Sequence, residues 1–155
     1  MLNQTVETEQ SASAIVESLD RVLAVQNYGS SGSKFFHSLL DGHPHLLAMP
    51  SLYMIGFYAF WPEPIPRRRQ EAIAAFGASR RYWFDPKGYA PWGTDTMGPR
   101  RNETVFVDRD AFLKYLRAAL GDRELISRRL FFQSVYAAYA AALGRDLSLE
   151  GQHYV

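Results

Sequence analysis

The chain contains no cysteine, which excludes a disulfide framework, a zinc–thiolate centre and a cysteine nucleophile. It is poor in lysine, with three (Lys34, Lys87, Lys114) against fourteen arginines. It has no long hydrophobic run. The longest near-continuous one, LYMIGFYAFW over residues 52–61, is too short to cross a bilayer as a helix. The N-terminal stretch MLNQTVETEQ carries neither a basic start nor an apolar segment, so a secretory signal is not expected. The expectation is a soluble, cytoplasmic protein. Hydrophobic residues make up 47% and charged residues 21%, a globular rather than a disordered composition. At 155 residues the length suggests one domain.

The net charge of +1 conceals an uneven distribution. Residues 1–20 hold Glu7, Glu9, Glu17 and Asp20 and no basic side chain, and read as an acidic N-terminal helix leading into the domain. The remainder is basic, with arginines clustered at Arg67-Arg68-Arg69, Arg80-Arg81, Arg100-Arg101 and Arg128-Arg129. Guanidinium groups bind phosphate and sulfate bidentately, so this enrichment suits an anionic ligand. For any single pair, a solvated surface is the simpler reading. Nucleic acid is not an expected partner, because the net charge is small and no recognised binding motif accompanies the pairs.

Periodicity predicts helices over 5–19, 34–42, 51–61, 67–77, from Asp108 or Asp110 to Gly121, and over 127–143. The apolar run in RVLAVQN, residues 21–27, reads as a strand covered on both faces, and HLLAM at 45–49 as a second short strand. Residues 78–104 carry Tyr82, Trp83, Phe84, Tyr89 and Trp92 among glycines and prolines. These aromatics either line a substrate site or pin the loop onto the core, and their burial energetics favour the second role.

The most informative segment is RVLAVQNYGSSGSKFFHSLLDGHP, residues 21–44. It sets Gly29, Ser30, Ser31, Gly32 and Ser33 between a strand and a helix start. Glycines let the backbone approach a ligand, and free N–H groups at a helix start bind anionic oxygens. Lys34 adds a full positive charge there. The pattern is not a Walker A loop, because Lys34 stands where that loop requires its second glycine.

The string SGSKFFHSLLDGHP resembles the nucleotide-binding start of the sulfotransferase family, in its bacterial form. Ser31, Gly32 and Ser33 match the S-G-[ST] turn, Phe35 and Phe36 the apolar helix, and Leu39, Leu40, Asp41, His43 and Pro44 the L-L-D-x-H-P ending. The stretch AAYAAALGRDLS is similar to a later helix of such proteins. The resemblance implies a P-loop-type three-layer α/β/α fold with a parallel sheet, incomplete and mostly helical in the part present. It also implies transfer of a sulfuryl group from 3′-phosphoadenosine 5′-phosphosulfate to a hydroxyl or amine of a small-molecule or carbohydrate acceptor. Residues 29–34 would bind the donor, with Lys34 the first catalytic candidate and His37 the second. No metal is implied. Two features depart from the family pattern. Ser30 replaces the usual Lys or Arg, and Lys34 stands at a usual hydroxyl position. The family's second half is not recognisable, so residues 1–155 read as one partial, truncated domain that is inactive as a fragment if that half is required. Apolar surface left uncovered would favour self-association.

Other readings compete. The same turn would serve a non-catalytic anion- or nucleotide-binding or interaction module, or a P-loop nucleotide kinase-like enzyme. His37 reads more simply as a helix-surface residue. His43 and His45 lack a third ligand for a metal. Asp108 and Asp110 read as helix-capping residues rather than a carboxylate pair.

Overall fold

Turn and capping residues, more than apolar runs, set where the helices begin and end. The computed structural model describes residues 16, 19, 21, 22, 32–40, 43, 45–49, 54, 56–84, 100 and 106–145. Among them α1 spans Ser33–Leu40, α2 Phe57–Phe60, α3 Arg69–Ser79, α4 Arg109–Leu120 and α5 Arg128–Ala142. A 3-10 turn covers Arg81–Trp83. Two short strands, β1 (Arg67–Arg68) and β2 (Leu125–Ile126), pair antiparallel, with Arg67 opposite Ile126 and Arg68 opposite Leu125. The chain is therefore a mixed α/β protein dominated by helix.

The last two helices form as their end residues dictate. The Asp108 carboxylate accepts a hydrogen bond from the Ala111 amide at 2.7 Å, satisfying a first-turn donor of α4. The Ser127 hydroxyl does the same for the Leu130 amide at 3.1 Å in α5. Phe112, Leu113, Leu116, Ala119 and Leu120 are buried on α4, and α5 is buried along much of its circumference. The two helices share the most extensive packing between elements.

Aromatic rings fill the main core. Phe131 of α5 is fully buried, with ring centroids 5.4 Å from Trp61, 5.4 Å from Phe76, 6.0 Å from Phe60 and 6.5 Å from Phe57. Trp83 continues the cluster, edge-on to Phe76 at 5.3 Å and to Phe112 at 5.8 Å. Each such pair adds about 0.5–1.5 kcal/mol beyond the area it buries. A second, smaller cluster joins Val16, Leu19 and Leu47 to Ala119 of α4 and to Ala137 and Ala140 of α5. The Gln133 side-chain amide donates to the Leu19 carbonyl and ties this segment to α5.

Several expectations change. The sheet within the described residues is antiparallel, and it joins part of the helix expected over 67–77 to the connection between the last two helices. Residues this few carry no alternation to read. Of the expected strand at 21–27, Arg21 makes an isolated bridge and Val22 is exposed, and the rest lies outside the described residues. Leu46 makes the one isolated bridge within 45–49. Of the expected helix at 5–19, Val16 is helical, and the remainder apart from Leu19 lies outside the described residues. Of the helix expected over 51–61, Phe57–Phe60 are helical and begin directly after Gly56, whose φ of 74° is left-handed, while residues 51–53 and 55 lie outside the described residues. In the long loop, Trp83 and Phe84 join the main core, so these two aromatics pin rather than line a site.

Candidate functional site

The helix that follows the small-residue turn begins where the sequence puts it. Gly32 has φ 73°, and its carbonyl accepts the Phe36 amide at 3.0 Å, closing the first turn of α1. A side chain would be strained at this φ. A Cβ added there would meet nothing within 4 Å among the described residues. The first-turn amides of an α-helix have no partner within the helix and carry the positive end of its dipole. Ser33 and Lys34 open α1, and His37 lies one turn further on. Gly29, Ser30 and Ser31 lie outside the described residues. Phe35, Phe36 and Leu39 are exposed, at 70%, 47% and 60%.

The other motif residues resolve simply. His45 donates its backbone amide to Nδ1 of His43 at 3.2 Å, and both side chains are exposed. No group of three His, Cys, Asp or Glu among the described residues is placed to hold a metal ion. Asp108 is the α4 cap and Asp110 follows in its first turn.

Four arginines of the clusters have structural partners. Arg67 Nη1 donates to the Phe60 carbonyl at 3.1 Å, and its guanidinium lies 5.7 Å from the Phe60 ring and 5.1 Å from the Trp61 ring. Arg128 lies 5.2 Å from the Tyr58 ring and reaches the Trp61 and Pro62 carbonyls, each at 3.4 Å. Arg80 is buried with its guanidinium 5.7 Å from the Phe76 ring. Arg69 donates to the Gly121 carbonyl, joining the start of α3 to the end of α4. These arginines hold the aromatic core and the helix ends.

A groove of about 430 Å³ runs between α3 and α4, lined by Arg69, Gln70, Ile73, Ala74, Gly77, Arg109, Leu113 and Arg117. Sequence reasoning passed over Arg109 and Arg117. The signal was present, because Arg109, Leu113 and Arg117 recur at four-residue intervals and so share one helix face.

No known family's profile, no curated protein and no solved structure matches the chain. No helix among the described residues is long and apolar enough to cross a membrane.

Proposed function

We propose that the chain is a sulfotransferase-like domain. In this reading residues 29–34 hold the 5′-phosphosulfate end of 3′-phosphoadenosine 5′-phosphosulfate, and the sulfuryl group passes to a hydroxyl or amine of a small-molecule or carbohydrate acceptor. One observation carries it. Gly32, the central residue of the S-G-S string, has a left-handed backbone with no described atom within 4 Å of its Cβ position, directly before the helix that leads towards Leu39, Leu40, His43 and Pro44 in the sequence. That is the geometry a close-approaching oxyanion needs. The same reading makes residues 21–27 the first strand of a parallel, three-layer P-loop-type sheet.

The donor supplies an activated sulfuryl group whose transfer leaves negative charge on the bridging oxygen. The first-turn amides of α1 offer hydrogen bonds to that end, and the positive end of the helix favours its charge. Lys34 supplies the cation that Ser30, at the usual Lys or Arg position, does not. His37 is the second candidate, as a group able to exchange a proton with the acceptor. Positioning and charge stabilisation are the main demands on the protein in such transfers.

The Ser30 substitution favours one second reading, a non-catalytic anion- or nucleotide-binding module. Thermal shift with 3′-phosphoadenosine 5′-phosphate, ATP and inorganic sulfate tests both. Stabilisation by the bisphosphate alone is expected, and calorimetry with Lys34→Ala should show that affinity lost. ATP selectivity would point to a kinase-like enzyme. Bisphosphate affinity unchanged in Lys34→Ala would remove Lys34 from the site. Bisphosphate binding without sulfuryl transfer to any hydroxyl or amine acceptor would favour the module.

A further inference from the structure

We infer that the groove between α3 and α4 binds an amphiphilic oxyanion, a small molecule with a carboxylate or phosphate-ester head on an apolar body. Its residues and ligand are separate from those of the turn at 29–34. Ile73, Ala74, Gly77 and Leu113 form an apolar floor. The groove's volume, about 430 Å³, is that of a small-ligand site. The Arg69–Gly121 bond places the start of α3 beside the end of α4, so the helices run antiparallel and Arg69 shares one end of the groove with Arg117. Arg109 stands at the other end, eight residues or about 12 Å back along α4.

The three arginines differ in state. Arg69 is held by the Gly121 carbonyl, which fixes the fork while leaving other guanidinium donors for a ligand. Neither Arg109 nor Arg117 has a side-chain hydrogen bond, ion pair or ring contact among the described residues. Arg69 and Arg117 both line that end, and a guanidinium fork matches the bidentate geometry of a carboxylate or phosphate. The apolar body then lies along the floor toward Arg109.

Charge limits how far the head can extend on the Arg69 side. A neighbouring recess of about 330 Å³ shares Arg69 and Gln70 and is also lined by Arg68 and by three carboxylates, Glu71, Asp122 and Glu124. A second anion extending past Arg69 would meet those carboxylates. The groove therefore disfavours a second anionic group on the Arg69 side of the head.

Calorimetry with octanoate and phenyl phosphate tests the inference, with inorganic phosphate and phenol as the separated halves. Binding of either amphiphile at least tenfold tighter than both halves is expected, and which binds more tightly tells carboxylate from phosphate. Arg117→Gln should weaken it at least tenfold, and Arg109→Gln by less. Lys114→Gln, which removes one charge from an exposed position of α4 outside the groove, should leave it unchanged. Lys34→Ala should also retain full affinity, which keeps this result separate from that of the sulfotransferase reading. Thermal melts confirm that each variant is folded. Four results would each overturn the inference: no amphiphile binding at millimolar concentration, inorganic phosphate binding as tightly as the ester, Arg117→Gln within twofold of the parent, or an equal loss in Lys114→Gln.

Discussion

Replacing Arg67 distinguishes a structural arginine from a ligand-binding one. Its guanidinium makes one hydrogen bond to the Phe60 carbonyl and lies against two aromatic rings, Phe60 and Trp61. A hydrogen bond to a charged group contributes about 1.5–3 kcal/mol, and each cation–π contact about 0.5–1 kcal/mol where partly exposed. These terms share one side chain and are not additive, so about 2 kcal/mol is expected for Arg67→Ala. Arg67→Lys keeps the charge but loses the planar fork, and about half that loss is expected. At this chain length the alanine variant should melt about 4–8 °C lower. Urea unfolding followed by circular dichroism gives the free energy, and calorimetry on the folded variant gives anion affinity. Parental stability in Arg67→Ala together with lost anion binding would instead make Arg67 a ligand-binding residue. Full equivalence of lysine to arginine would also refute the role given to the planar fork.

Other side chains give independent checks. Asp108→Ala removes the α4 cap and should lower stability by about 1 kcal/mol, while Asp108→Asn, which still accepts from the Ala111 amide, should lose much less. Ser134 is fully buried on α5, and its hydroxyl has no hydrogen-bond partner among the described residues. Ser134→Ala removes that desolvated hydroxyl and should be neutral or stabilising by up to about 1 kcal/mol in urea unfolding, whereas a loss would show a hidden partner. Burial raises the Tyr136 hydroxyl from 10.0 to about 12, because the charged form is poorly solvated there. Below pH 10 both states hold the proton and that stability is intact. As pH rises from 10 towards 12 the unfolded chain loses its proton first, so stability should fall. Tyr136→Phe should flatten that part of the pH–stability curve, and an unchanged slope would remove Tyr136 as its source.

The two C-terminal helices were legible because each carries its own stop and start signals: Asp108 and Gly121 bracket one, and Ser127 and Gly144 the other. The first helix of the turn motif was legible for a similar reason, since its preceding glycine and following proline sit at its borders. The Arg67–Arg68 strand was not, because two residues have no periodicity and their pairing with Leu125–Ile126 is settled by distant packing. Composition alone gave the arginines an anionic-ligand meaning. The structure gives Arg67, Arg80 and Arg128 to aromatic faces and backbone carbonyls instead. A count of guanidiniums cannot separate those roles, because a stacking partner can lie far off in sequence, as Tyr58 does from Arg128. The Arg109–Leu113–Arg117 face was readable from spacing, but its groove needs α3 as a second wall.

α5 is a partition with a different population on each side. Phe131 and Val135 belong to the aromatic cluster, while Ala137 and Ala140 meet Val16, Leu19 and Leu47. Releasing Val16 and Leu19 uncovers the alanines together with parts of Phe132 and Tyr136, but leaves the buried rings of the main cluster, such as Phe131 and Phe76, in contact. Amide exchange should then report a hierarchy, in which the Leu19 amide exchanges before those of the α5 core. The α5 amides between Phe131 and Tyr139 should exchange only when the whole chain unfolds. The Gln133 bond to the Leu19 carbonyl is the latch between those two regimes, and its removal should speed exchange at the N-terminal segment far more than within α5.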